Sequence, residues 1–321
     1  MNHVPGELLP AASPPIHQRN HIWRKIKRQK ILLLFSVPFA IWAAVFCYAP
    51  IWGWIMAFQD YNPGKGVTGS PWVGLKHFQA FFQEEMLYTL LRNTIAISVL
   101  NIVVGTFGAV ALALLLNEVK GVFFKRTVQT VSYLPYFISY VVVANLFLTL
   151  LSPSDGTVNR LLLKLGLIDK PIFFFAEPHL FWVLVVLINV WKNIGWDAII
   201  YIAAMSSVDT ELYDAASVDG AGRWRKMWHI TLPCIRPTIV VLLVLSASGI
   251  LNAGFDPSYL LGNPMVHDYS EVIDTYVYRM GLGNAMYSYA TAIGLFRLVV
   301  SLVLLYLVNR MAKRLGEDNV L

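Results

Sequence analysis

Five polar or aromatic side chains recur at helical spacing within one long apolar stretch of the sequence, residues 181–204. They are Asn189, Lys192, Asn193, Trp196 and Asp197. Separations of three, four, seven and eight residues place them on one face of a helix. Amide and charged groups beside an aromatic ring suit the recognition of sugar hydroxyls and of the apolar face of a sugar ring. We therefore predict that this face lines a path for a sugar.

Two other apolar stretches contribute further candidates for the same path. They are Asn252 and Asp256 at 238–260, and Tyr287, Thr291 and Arg297 at 287–309. A charge in lipid is costly, so Lys192 and Arg297 should face the interior or a water-filled path, where they would favour an anionic sugar. The alternative is structural, because polar side chains also hold membrane helices together. Lys192 would then pair with Asp197 or Asp256.

The sequence contains no arrangement that is typical of an enzyme. It has no GxxxxGK(S/T) loop to hold a nucleotide, no HExxH zinc motif and no nucleophile elbow. Its two cysteines, Cys47 and Cys234, are too few for a disulfide framework or a zinc site. We predict that the chain is not an enzyme and that it binds no cofactor or metal itself.

The composition is that of a membrane protein. Of 321 residues, 57% are hydrophobic and 14% are charged, and the mean hydropathy is +0.57, whereas soluble domains carry about 25% charged residues. A helix crosses a bilayer with about 20 apolar residues. We predict an all-α polytopic membrane protein whose first span is broken or kinked near Pro38 and Pro50. Its six transmembrane helices are predicted at residues 31–58, 91–116, 128–150, 181–204, 238–260 and 287–309.

The basic residues indicate the topology. Sixteen of the 25 Lys and Arg residues lie before the first span, after the second and fourth spans, or at the C-terminus. Because basic residues remain in the cytoplasm, both termini are predicted to be cytoplasmic. The net charge of +6 therefore reflects topology and contact with membrane lipid, and no nucleic acid is expected. Residues 1–30 are predicted as a tail with an interfacial amphipathic helix, 31–309 as the transmembrane domain and 310–321 as a C-terminal tail.

The connection between the fourth and fifth spans, residues 206–237, has a helical pattern of its own. Apolar residues recur at helical spacing after two residues that favour helix N-termini, and glycines then permit a sharp turn. The pattern predicts a helix capped by Ser207 or Asp209, a turn at Gly220, and a second helix at 223–230 that Pro233 and Pro237 end before the fifth span.

Within this loop, Asp214-Ala215-Ala216 is followed after three residues by Gly220, and after nine more by Ile230-Thr231-Leu232-Pro233. This spacing resembles the EAA loop of permease subunits in bacterial binding-protein-dependent ABC importers, with Asp214 in place of the usual Glu. In that family the loop is a coupling helix that docks on an ATPase subunit. The resemblance implies this role for Asp214, Ala215, Ala216, Asp219, Gly220, Ile230, Leu232 and Pro233.

From about residue 25 to its end, the sequence is similar to polysaccharide-type sugar permeases, which are relatives of the maltose importer's subunits. The resemblance implies a type I ABC importer permease fold in a bacterial inner membrane, and a cargo of oligo- or polysaccharide such as alginate. It also implies a second homologous permease, two ATPase subunits that bind ATP and Mg, and a solute-binding protein. The alternative is a secondary transporter driven by an ion gradient without an ATPase. Such carriers use inverted repeats and membrane carboxylates, for which only Asp197 and Asp256 are candidates here.

Overall fold

The computed structural model describes residues 29–314, and every regular element within that range is helical apart from one isolated bridge between Gln59 and Trp72. Nearly all of the predicted N-terminal tail and most of the predicted C-terminal tail lie outside the described residues. The α-helices are α1 Lys30–Ala43, α2 Gly66–Gly69, α3 Lys76–Phe82, α4 Leu87–Glu118, α5 Val122–Tyr133, α6 Tyr140–Leu150, α7 Thr157–Lys164, α8 Pro178–Ser206, α9 Thr210–Val218, α10 Arg223–Lys226, α11 Leu232–Ser248, α12 Phe255–Leu261, α13 His267–Ser270, α14 Ile273–Tyr278 and α15 Tyr287–Arg314.

Several of these helices are long and apolar enough to cross a membrane, which confirms a multi-pass membrane protein. Five helical runs meet this requirement unbroken: Lys30–Phe58, Leu87–Glu118, Pro178–Ser206, Arg223–Ser248 and Tyr287–Met311. A sixth crossing exists if the bent pair Val122–Phe137 and Tyr140–Leu150 forms one span. The cytoplasmic location of both termini stays a prediction.

The first of these runs changes its winding along its length. It begins with α1, continues as a π-turn at Ala44–Tyr48 and ends as a 3-10 helix at Ala49–Phe58. α1 continues through Pro38, so the helix is not broken there, and a kink at Pro38 stays a prediction. The prediction near Pro50 agrees with the start of the 3-10 segment, where a residue without a backbone N–H lies next to the change of winding.

The third predicted span, residues 128–150, is not one straight helix. α5 passes into a 3-10 turn at Leu134–Phe137, and α6 starts at Tyr140 at an angle of 103° to it. Pro135 has no N–H to continue the α-helical ladder, and the Ser139 side chain caps the next helix by accepting from the Val142 amide. We call Val122–Leu150 the bent segment.

The fifth predicted span also differs from the structure at both ends. Helical structure runs without interruption from Arg223 through a π-turn at Met227–Thr231 to Ser248. The prolines do not end it: Pro233 follows the π-turn at the start of α11, and α11 continues through Pro237. The helix stops well before residue 260, at Ser248 with Gly249 as its C-cap, and Gly254 with a φ of +91° precedes α12.

α4 packs along α8 in the core of the protein. Small residues meet where these helices are closest: Ala109 and Ala113 on α4 and Ala198 on α8 are all buried in one cluster. Small side chains allow membrane helices to approach closely and so gain packing energy. α11 packs against both α8 and α15. This arrangement fixes the polar positions of α4, α8 and the end of α11 around a common space.

Candidate functional site

α4, α8, the end of α11 and the chain that follows it line a half-open cavity of about 320 Å³, which we call the polar cavity. Its wall is rich in amide, hydroxyl and carboxyl groups and in glycine. The lining includes Ser98, Asn101, Gly105, Asn189, Asn193, Asp197, Ser246, Gly249, Asn252 and Gly254. A smaller cavity of about 230 Å³ adjoins it and shares Asn101, Gly105, Asp197 and Ser246.

Hydrogen bonds orient the amides of the polar cavity. The Tyr140 hydroxyl lies 2.7 Å from Asn189 Oδ1, and Asn189 Nδ2 donates to Asn101 Oδ1 at 3.2 Å. Asn193 Nδ2 donates to the Asn189 backbone oxygen at 2.9 Å. Among residues 29–314, the buried hydroxyl of Ser98 on the same wall has no hydrogen-bond partner. The wall therefore combines fixed amide groups with unused hydrogen-bonding capacity, as binding of a hydroxyl-rich ligand requires.

The predicted polar face of α8 is divided between two neighbours. Asn189, Asn193 and Asp197 line the polar cavity, whereas Lys192 and Trp196 contact the bent segment. At about 100° per residue, Lys192 and Asp197 lie about 140° apart around the helix, so one wide polar face reaches both sides. The sequence spacing shows how wide such a face is, but it does not show which part of the structure packs against each side of it.

Neither Lys192, which is buried, nor Arg297, which is half-buried, lines the polar cavity. Lys192 Nζ donates to the Tyr136 and Pro135 carbonyl oxygens, and within the described part of the chain it pairs with neither Asp197 nor Asp256. Arg297 Nη1 forms an ion pair with Asp274. The alternative pairing predicted for Lys192 is therefore wrong, and both cations are bound by protein groups.

Two of the predicted path residues on α15 lie around a second cavity of about 470 Å³, which we call the aromatic cavity. Tyr287 and Thr291 line it together with Phe255, Asp274 and Tyr278. It shares no lining residue with the polar cavity. Asp256 is exposed in the first turn of α12 and lines neither cavity. The structure therefore separates the α15 candidates from those on α8.

The loop between α8 and α11 is a compact helix–turn–helix. Asp209 is the cap of α9, because its Oδ1 accepts from the Glu211 amide at 2.9 Å. At the other end, Ala221 N donates to Ala216 O and Gly220 N to Ser217 O, the bonding pattern that closes a helix with a left-handed residue. Gly220 supplies that residue, with a φ of +71°. The motif glycine is thus explained by backbone geometry.

The outer surface of this loop presents most of the motif residues. Asp214, Ala215, Asp219, Gly220 and Pro233 are exposed, and Ala216, Ile230 and Leu232 are half-buried. Three large apolar side chains nearby are also exposed: Val218, Trp224 and Trp228. Apolar and charged residues together on a protruding loop are typical of a protein–protein contact.

One contact in this loop was not predicted. The Tyr213 hydroxyl lies 2.9 Å from Thr231 Oγ1, and Thr231 is only 1% exposed. This bond ties α9 directly to the helical run that continues into α11. Eighteen residues and a turn separate the two partners, and no local spacing rule relates them, so only the folded loop reveals the pair.

Residues 101–317 match the protein family described as "Binding-protein-dependent transport system inner membrane component". The chain is 44% identical over 303 residues to the polygalacturonan/rhamnogalacturonan transport system permease protein YteP of Bacillus subtilis, and the alignment covers 94% of each chain. It is 40% identical over 295 residues to protein LplB of the same organism, with 92% of each chain covered.

Two solved structures share both fold and sequence with this chain. One is a crystal structure of a bacterial ABC transporter involved in the import of the acidic polysaccharide alginate, with a TM-score of 0.85 and 41% identity over 92% of this chain and 99% of that chain. The other is a bacterial alginate ABC transporter in complex with an alginate pentasaccharide-bound periplasmic protein, with a TM-score of 0.84 and 41% identity over 92% of this chain and 98% of that one.

Proposed function

Because the chain belongs to the family of binding-protein-dependent transport system inner membrane components, and is therefore a permease subunit of a sugar ABC importer, we propose that it forms half of an ATP-driven translocation path. The proposed cargo is an acidic oligo- or polysaccharide. The observation that carries the proposal is the polar cavity, in a chain whose loop between α8 and α11 is a helix–turn–helix with the EAA-type spacing. Family membership also argues against a secondary transporter that works without an ATPase.

The polar cavity suits part of a sugar chain. Amides of Asn101, Asn189 and Asn193 and the carboxyl group of Asp197 can exchange hydrogen bonds with hydroxyl groups. Its volume of about 320 Å³ is at the small end of the range of about 300–1,000 Å³ for ligand pockets. A second homologous permease would therefore supply the rest of the wall.

The acidic nature of the cargo is proposed from the relatives. YteP is described as a transporter of polygalacturonan and rhamnogalacturonan, and the structural neighbour as an importer of alginate. Lys192 and Arg297 give this idea no support, because both bind protein groups. Cations for a sugar carboxylate would come from the partner permease or from the solute-binding protein.

In the proposed mechanism, the loop Ser206–Pro237 connects the path to a separate motor. Each of two permeases would engage one of two ATPase subunits, which bind ATP and Mg. Closure of the ATPases would draw the two loops together and turn the cavity outward, where a solute-binding protein releases the sugar. Hydrolysis would return the cavity to the inward state, as in other alternating-access transporters. The loop would then lie in the cytoplasm and the spans in the inner membrane.

A cross-linking experiment tests the motor contact. In a background with Cys47→Ser and Cys234→Ser, the exposed Ala215→Cys site on α9 is expected to cross-link to a co-purifying ATPase. Leu167→Cys is the control, because it is 67% exposed and is predicted to face the other side of the membrane. Sugar uptake that persists without any cross-linked ATPase would contradict the proposed coupling.

A transport experiment tests the cargo. The complete importer is reconstituted in liposomes with its solute-binding protein, and uptake of an alginate tetrasaccharide is compared with uptake of neutral maltotetraose. We expect ATP-dependent uptake of the acidic chain and little of the neutral one. Preference for maltotetraose would refute the acidic cargo and leave the permease assignment in place.

A further inference from the structure

The bend at Leu134–Ser139 leaves backbone groups outside regular helix bonding. In the apolar part of a membrane such backbone is tolerated only where protein groups or a water-filled cavity satisfy it. The Pro135 oxygen accepts from the Ile138 amide at 3.1 Å, but the last carbonyl groups of a helical run have no intrahelical donors of their own. The carbonyl groups of the bend therefore need a hydrogen-bond donor from outside the bent segment.

Lys192 on α8 donates hydrogen bonds to these carbonyl groups. Its ammonium nitrogen lies 2.6 Å from the Tyr136 carbonyl oxygen and 3.3 Å from the Pro135 oxygen. The residue is only 8% exposed. The rings of Tyr136 and Tyr140 lie 5.5 and 6.0 Å from the nitrogen, within reach of cation–π attraction. The carbonyl end of a helical run attracts a cation, so the charge is stabilised where it lies.

Two neighbours of Lys192 on α8 fit the same bend. Trp196 stacks on the Tyr136 ring with centroids 4.5 Å apart and planes 5° apart. A Cβ on Gly195 would come within 2.1 Å of the Ser132 carbonyl oxygen, so only glycine allows this approach of the two backbones. Lys192, Gly195 and Trp196 are spaced three and four residues apart and form one docking face on α8.

The bend is linked to the polar cavity through Tyr140. Tyr140 is the first residue of α6, directly after the bend, and its hydroxyl bonds to Asn189 Oδ1 at 2.7 Å. Asn189 in turn donates to Asn101, and both amides line the polar cavity. The position of the bend therefore determines where Tyr140 lies and how the two amides are oriented.

We propose that Lys192 is a positioning residue for transport, which fixes the bent segment and thereby holds Tyr140 against Asn189, whose amide lines the cavity wall. Its side chain does not line the polar cavity, so it does not contact sugar there. The part of this inference that concerns uptake rests on the proposed transport function, whereas the part that concerns the bend does not.

Nitroxide distance measurements on the complete importer in lipid test the bend directly. Labels are placed on Phe124→Cys and Leu148→Cys, exposed positions on the two arms, after Cys47 and Cys234 have been replaced by Ser. We expect one narrow distance distribution for the otherwise unchanged protein. Lys192→Met removes the charge at similar length and should broaden or shift the distribution. Lys192→Arg keeps a cationic donor and should restore most of it.

The same variants are then tested for ATP-dependent uptake of an alginate tetrasaccharide. Lys192→Met is expected to lower uptake by about fivefold or more, the lower end of energetic coupling between two sites, and Lys192→Arg to recover most of the loss. Tyr140→Phe cuts only the link to the cavity, so it should lower uptake while the distances stay unchanged. An unchanged distance distribution in Lys192→Met, or unchanged uptake despite an altered bend, would overturn the proposal.

Two further outcomes remain decisive. If Lys192→Met does not assemble, Trp196→Leu removes the ring contacts with Tyr136 and Phe137 at the same bend and must give the same broadened distances and lowered uptake. If the unchanged importer moves no sugar, the proposed function fails, but the distance measurement still decides whether Lys192 fixes the bend.

Discussion

Replacing Tyr213 with Phe removes the hydroxyl that joins α9 to the helical run entering the membrane. The bond to Thr231 Oγ1 is 2.9 Å long, and Thr231 is buried. Such a bond contributes about 0.5–1.5 kcal/mol, and a buried hydroxyl left without its partner costs about 1–3 kcal/mol. We expect Tyr213→Phe to weaken the attachment of α9 by about 1–2 kcal/mol, which is about 5–30-fold in an equilibrium.

The loss should appear in the efficiency of transport. The exposed residues of α9 that would meet an ATPase are unchanged in this variant, so ATP hydrolysis should continue while less of the motion reaches α11. Sugar uptake and ATP hydrolysis are measured together in proteoliposomes, and the number of sugars imported per ATP is expected to fall. Tyr88→Phe is the control, because Tyr88 is 74% exposed and lies far from the loop in sequence.

A double-mutant cycle isolates the bond itself. Thr231→Val removes the partner hydroxyl at nearly constant shape, so the double variant should lose less stability than the two single variants together, by about 1 kcal/mol. Thermal unfolding of the purified complexes measures this difference. Strictly additive losses, together with an unchanged ratio of sugar to ATP, would refute the reasoning.

Three further substitutions should act through backbone geometry and ion pairing, and thermal unfolding measures each. Gly220→Ala should cost about 1–2 kcal/mol because its φ is +71°, whereas Gly222→Ala, with a φ of −71° and open space, should cost little. Gly195→Ala brings a Cβ within 2.1 Å of a backbone oxygen and should prevent assembly or lower the melting temperature by about 5 °C or more. Arg297→Met leaves Asp274 without its cation and should cost up to about 3 kcal/mol, part of which Asp274→Asn restores in the double variant.

Much of the fold follows from apolar length and turn chemistry. The long helices α4, α8 and α15 contain the predicted spans at 91–116, 181–204 and 287–309. The cap at Asp209 and the turn at Gly220 also occur where their residue types predict them, because each depends on only a few neighbouring residues. A cap or a turn can be predicted from the sequence when the residues that form its hydrogen bonds are neighbours in the chain.

Two of the predictions that failed, on the bend and on the partner of Lys192, depend on distant partners. Nothing near Pro135 shows that the chain will turn by 103° there rather than continue with a mild kink, because the lysine that satisfies the bend is 57 residues away. In the same way, the sequence around Lys192 predicts a buried cation but does not show which group it binds. Every residue has a backbone carbonyl group, so the residue types do not show which carbonyl oxygen accepts a hydrogen bond from the lysine.

Of the interruptions in the predicted spans, the one after α11 borders the polar cavity, and the bend in the third contacts an amide of its wall. The chain after α11 brings Gly249, Asn252 and Gly254 to its wall, and the bend places Tyr140 against Asn189. A straight helix satisfies its own backbone and presents only side chains, whereas an interrupted helix in a membrane persists only beside protein groups or a water-filled space. Departures from regular periodicity are therefore expected at a path for polar cargo. The interruption after α11 thus lies at the same cavity that the polar face of α8 indicates.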